Sequence, residues 1–109
     1  MGVPLSRPIE LFIASENAHD TDALAMCFTT NATVTDEGRT MTGLKGIAAW
    51  RRQTARKYHH TVEPVAVAAR DGRTVVSTKL SGHFPGSPAT LDFVFDLEGD
   101  KIASLEIES

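Results

Sequence analysis

At 109 residues, 41% hydrophobic and 23% charged, the chain has the size and profile of one globular domain, with no room for a second core. Its 11 basic and 14 acidic residues give a formal charge of -3, which excludes the basic footprint of a protein that grips phosphate backbones, so no nucleic-acid partner is expected. Only Cys27 is present, Met1 to Pro8 lacks the pattern of a secretion signal, and no apolar run reaches the roughly eighteen residues of a membrane span; together these predict a cytoplasmic protein without disulfides or membrane contact.

Pro8 suits the first turn of a helix, where its missing N–H is not needed, and Ile9, Phe12, Ile13 and Glu16 follow at helical spacing. After "NAHDTD", Asp20 can cap a short second helix in which Leu24, Cys27 and Phe28 share a face. "ATVTDEGRTMTG" then alternates and turns at Glu37 and Gly38, the pattern of a small β-hairpin. The helical period returns from Gly43 to Tyr58 through Leu44, Ile47, Ala48, Arg51 and Ala55. Strand-like runs Thr61 to Ala69, Thr74 to Phe84 and Leu91 to Leu97 follow, ending at the turns "RDGR", "PGSP" and "EGDK", and a last strand spans Ile102 to Ile107. The order α-α-β-β-α-β-β-β-β predicts an α+β fold, a single domain over 1–109 with helices covering one face of a mostly antiparallel sheet.

The block "NAHDTDALAMCFTTNATVTDEG", the helix start "GLKGIAAW" and the closing "LDFVFDLEGDKIASLEI" carry a resemblance to the nuclear transport factor 2-like superfamily, and within it to the SnoaL-like polyketide cyclases and ketosteroid isomerases. The resemblance spans nearly the whole chain and implies a cone-shaped α+β barrel with a pocket between helices and sheet. That fold serves isomerases, cyclases, dehydratases and plain binding modules alike, so function has to be argued from the site.

Asp36 is the first candidate. Alternate side chains face opposite sides of a strand, so Asp36 shares a side with apolar Val34 and should point inward. The resemblance places it at the position of the proton-abstracting carboxylate of the isomerases. A desolvated carboxylate there would have a raised pKa and be a better base near neutral pH; the other reading is an Asx-type turn residue.

The resemblance also calls for two oxyanion donors. The tyrosine position falls on Phe12, which has no hydroxyl, and the aspartate position falls on Asp92 or Leu91. The alternation of Leu91, Phe93, Phe95 and Leu97 turns Asp92 outward. A replacement donor could be Trp50, Tyr58, His59 or His60, with Tyr58 and His60 the catalytic candidates beside Asp36. His60 has the parity of Val62 and could partner Asp36, or be a surface histidine at a helix-to-strand junction. No metal site is expected, because His59 and His60 point opposite ways and neither CxxC nor HExxH occurs; no cofactor is implied.

Phe12, Phe28, Val34, Trp50, Phe84, Phe93 and Phe95 are expected to line an apolar ligand pocket. "GHFPGSPATL" supplies an overhanging loop, Cys27 a buried inert thiol, and "WRRQTARK" a solvated cationic face. Two functions follow: an isomerase, cyclase or lyase in which Asp36 moves a proton next to a carbonyl, or a non-catalytic domain that binds a small apolar or carbonyl-containing ligand. Val65, Val67, Val75, Ile102 and Leu105 are numerous enough that both sheet faces need cover, and a homodimer through the sheet is expected.

Overall fold

Helix α1 of the computed structural model runs Arg7–Ala18 with Pro8 in its first turn, and Ile9, Phe12 and Ile13 face inward. The structure describes residues 5–58 and 60–108; His59 and the Tyr58 side chain, and the expectations placed on both, lie outside the described residues. The helix ends on His19 in the left-handed conformation, φ 54°, whose N–H bonds back to the Glu16 and Ser15 carbonyls. Asp20 then caps a 3-10 turn, accepting the Asp22 N–H at 3.1 Å, and one α-helical turn, α2, follows over Leu24–Cys27.

Phe28 does not continue that helix. It is extended at φ -110°, ψ 149° and opens strand β1, Phe28–Asp36, where it pairs with Ile102 of the last strand. Leu24, Cys27 and Phe28 are all buried nonetheless, delivered to one core by the turn and the strand. Glu37 and Gly38, both at positive φ, make the two-residue turn into β2, Arg39–Thr42. Helix α3 spans Gly43–Tyr58. Strands β3 (Thr61–Arg70), β4 (Arg73–Ser81), β5 (Ala89–Glu98) and β6 (Lys101–Glu108) complete the chain. Strand β4 stops three residues short of Phe84, which belongs to the connecting loop, where Ser87 Oγ accepts the Gly82 N–H at 3.0 Å.

The six strands form one sheet in the order β2-β1-β6-β5-β4-β3. Strands β3 to β6 are an antiparallel meander, while β1 lies parallel to β6 and antiparallel to β2. The two edges, β2 and β3, do not pair, so the sheet is an open cone and not a closed barrel. Irregular register in β1, β3 and at Asp96/Leu97 bends it around the helices.

The core centres on Phe12, whose ring lies 5.6 Å from Phe28, 6.2 Å from Phe93 and 5.8 Å from Phe95, centroid to centroid. Of the sheet residues expected to need outside cover, Ile102 and Leu105 are wholly buried in this core, Val75 is buried and Val67 half-buried. Val65 alone stays 50% exposed. Among the described residues no helix is long and apolar enough to cross a membrane.

Asn17 ties the end of α1 to the edge strand β3. Its amide oxygen accepts the Val62 N–H at 2.6 Å and its amide nitrogen donates to the Val62 carbonyl at 2.9 Å. Asn17→Ala removes both bonds and should lower the unfolding free energy by about 1–3 kcal/mol, read as a lower midpoint in urea.

Candidate functional site

The last turns of α1, helix α3 and the concave side of the sheet enclose a cleft of ≈ 430 Å³, within the size range of small-molecule sites. One end is polar, with Glu16 from α1, Asp36 and Glu37 from the hairpin, Trp50 and Thr54 from α3, and His60 from the start of the β3 segment. The other is apolar, walled by Leu80, Leu91, Phe93 and Ile107 of the sheet and by Phe84 and Pro85 of the β4–β5 loop. A larger hollow of ≈ 510 Å³ is lined only by α3 residues such as Arg52, Gln53 and Arg56, and is a groove on one helix's solvent side.

Asp36 reaches the cleft because strand β1 alternates: Val34 is buried beneath it and Thr33 and Thr35 take the other face. Its Oδ2 accepts the indole N–H of Trp50 at 2.9 Å. Burial pushes the Asp36 carboxyl above its ordinary value, and the Glu37 and Glu16 carboxylates push the same way. The Trp50 N–H and, more weakly, the Glu37 backbone N–H favour the ionised form. The two readings of Asp36 therefore coexist, since the carboxylate faces the cleft while touching its own turn.

Beside Asp36 lies a cluster of buried charge. Arg51 is 0% exposed, Glu16 2% and His60 5%. His60 is thus neither at the surface nor bonded to Asp36; its Nε2 lies 3.2 Å from Glu16 Oε1. Arg51 departs from the solvated face expected of "WRRQTARK", because it follows Ile47 by one helical turn and shares its inward side. Its guanidinium donates to Glu16 Oε2 at 3.4 Å, to Ser15 Oγ at 2.9 Å and to the Asp20 carbonyl at 3.0 Å, and sits 5.2 Å above the Phe12 ring. Sequence reasoning missed Glu16, Glu37 and Thr54 at the polar end and Leu80, Leu91 and Ile107 on the apolar wall, and with them Arg51, which reaches the site through Glu16. A signal existed for Glu16, a carboxylate in register with Ile9, Phe12 and Ile13 on an apolar stripe.

Of the residues expected at the pocket, Asp36, His60, Trp50, Phe84 and Phe93 line the cleft. Phe12, Phe28, Val34 and Phe95 do not; they are buried in the core beneath it, where ring-against-ring packing consumes their faces. Asp92 accepts the Ser77 hydroxyl at 3.0 Å on the opposite sheet face, and Phe12 offers no hydroxyl, so neither supplies a donor to the cleft. Burial pushes the Cys27 thiol up, and its Sγ lies 3.4 Å from the Ala23 carbonyl, a contact that suits an inert core thiol. Among the described residues no three His, Cys, Asp or Glu side chains converge to hold a metal ion.

A family model described as a SnoaL-like domain matches residues 9–105. A solved structure called a "putative polyketide cyclase", from Sinorhizobium meliloti, is 33% identical over 95% of either chain and superposes with a TM-score of 0.90. A protein with a ketosteroid isomerase-like fold from Catenulispora acidiphila, in complex with trimethylamine, is 19% identical over 97% of this chain and 87% of that one, TM-score 0.83. A "putative isomerase of the SnoaL-like family" from Agrobacterium tumefaciens is 16% identical over 92% of both chains, TM-score 0.74. The last two establish a common fold. No curated protein matches the chain.

The environment of Asp36 sets a pH dependence. A carboxyl whose folded pKa is raised holds its proton more tightly in the folded than in the unfolded chain, so the protein loses stability as pH rises from the ordinary aspartate value of about 3.9 through the raised one. Asp36→Asn should therefore be at least as stable as the parent at pH 7, with its advantage shrinking toward pH 3 in chemical unfolding. Trp50→Phe, which removes the donor, should move the Asp36 midpoint further up in a carboxyl-detected NMR titration.

Proposed function

Because this chain belongs to the SnoaL-like domain family, we propose that its cleft is the active site of a cofactor-independent isomerase, cyclase or lyase, with Asp36 as the base that removes a proton from a carbon next to a carbonyl. The observation that carries this reading is the half-buried Asp36 carboxylate, held by Trp50 at the polar end of an otherwise apolar cleft. Desolvation makes it a stronger base than a surface aspartate, and the Trp50 bond aims it. Proton removal leaves an electron pair on the carbonyl oxygen as an enolate. The proton is then returned to another carbon in an isomerisation; in a cyclisation the enolate carbon attacks an electrophile in the same ligand.

The enolate needs a donor, and His60 is the ring at the polar end able to supply one. The apolar wall of Leu80, Phe84, Leu91, Phe93 and Ile107 suits a ligand with a flat hydrocarbon body and its carbonyl toward Asp36 and His60. The missing hydroxyl at Phe12 favours a second reading, a domain that holds such a ligand without turning it over.

Carbon-acid chemistry can be read without knowing the physiological substrate. Enolisable cyclic ketones such as 2-tetralone are incubated with the protein in D₂O, and loss of the proton α to the carbonyl is followed by NMR. The proton-transfer reading expects exchange above the buffer rate and a fall of about a hundredfold or more in Asp36→Asn. Binding of the ketones, seen at the Trp50 indole, with no added exchange would instead establish the binding domain.

A further inference from the structure

Three ionisable side chains from α1, α3 and the β3 segment meet inside a core of modest size. An apolar trio of similar volume would serve stability as well or better, so a buried ionic cluster invites another explanation. Two of its members, Glu16 and His60, also line the cleft that holds Asp36. Arg51 lies behind them and touches Glu16 from the far side.

The hydrogens in this chain of contacts follow from chemistry. A guanidinium can only donate, so Arg51 fixes Glu16 Oε2 as an acceptor. An ionised carboxylate can only accept, so Oε1 requires a hydrogen on His60 Nε2, 3.2 Å away. Ser15 Oγ and the Asp20 carbonyl hold the Arg51 fork at its other nitrogen, and the Asn17 clamp on Val62 fixes the backbone two residues beyond His60.

We propose that Glu16, anchored by Arg51, is a positioning residue that keeps the hydrogen of His60 on Nε2 and presents it at the cleft to the carbonyl oxygen of the ligand, opposite Asp36. His60 is then the group that touches the substrate, and Glu16 acts through it. The inference rests on the proton-transfer reading above. The 3.2 Å separation is at the upper end of the ordinary range, and a carbonyl oxygen that reaches the same Nε2–H shares it with Glu16 Oε1 in a three-centre bond.

Glu16→Gln gives a test with a definite sign. Arg51 would draw the amide oxygen of the glutamine to itself, turning the amide NH₂ toward His60; Nε2 must then accept, and the ring hydrogen moves to Nδ1. Nitrogen-15 NMR of the imidazole should show Nε2 protonated in the parent protein and bare in the variant. The exchange rate with 2-tetralone should fall at least about tenfold in Glu16→Gln, and the same change should add nothing in a His60→Gln background.

A parent protein with its hydrogen on Nδ1 would overturn the proposal without any variant. So would a variant that keeps Nε2 protonated and loses the same factor in both backgrounds, which would make Glu16 a purely structural residue. Asp36→Asn with an undiminished rate would remove the base assignment, while the nitrogen-15 spectra would still decide whether Glu16 sets the tautomer of His60.

Discussion

The arrangement of this domain depends on one guanidinium sealed from water. Arg51 enters the core from α3 and reaches Ser15, Glu16 and the Asp20 carbonyl around the end of α1. The Phe12 ring supplies a negatively polarised face beneath it. Desolvating such a charge is costly, and three hydrogen bonds and the ring offset the cost, while its buried Nε–H has no described hydrogen-bond partner. Those three bonds tie the exit of α1 and the residue after the left-handed His19 to α3. The polar end of the cleft takes Glu16 from α1 and Trp50 and Thr54 from α3, so the charge inside the core and the shape of the site share a constraint.

The cleft also shows how a small domain divides its aromatic residues. Phe28 and Phe95 each pack edge-to-face against Phe12, and all three are buried with little surface left for a ligand. Phe93 belongs to both sets, touching Phe12 and Phe95 on one side and the cleft on the other. Trp50 and Phe84 are the aromatic faces the ligand space gains from α3 and from the loop. Phe93, on a strand, is thus shared between core and site, while Phe84 reaches the site from a loop.

Much of this was legible in the chain. Strand parity placed Asp36 on the side of Val34, and the alternation of Leu91, Phe93 and Phe95 placed Asp92 outside. Helical spacing in 43–58 found α3 at its observed bounds. Local pattern misled where a tertiary partner decided the outcome. Arg51 reads as one cation in a basic run although it keeps step with Leu44 and Ile47, and the partners that let it be buried come from the end of α1, some thirty residues earlier. Phe28 continues a helical stripe on paper, yet it becomes extended because β1 has β6 to pair with. Phe12 was assigned to the pocket from a resemblance, and the ring cluster around it keeps it underneath.

That pairing of β1 with β6 has a kinetic meaning. β1 is joined early in the chain to β2 alone, and its other neighbour, in register Thr33 with Ser104 and Val34 with Leu105, is made some seventy residues later. Contacts so far apart in sequence must wait for a large loop to close, which slows folding in general. On the ribosome, the helices and the first hairpin emerge with their inward faces uncovered, and the sheet they pack on cannot be completed before residues 101–108 appear. Until then the hairpin that carries Asp36 lacks the strand that flanks it in the finished sheet.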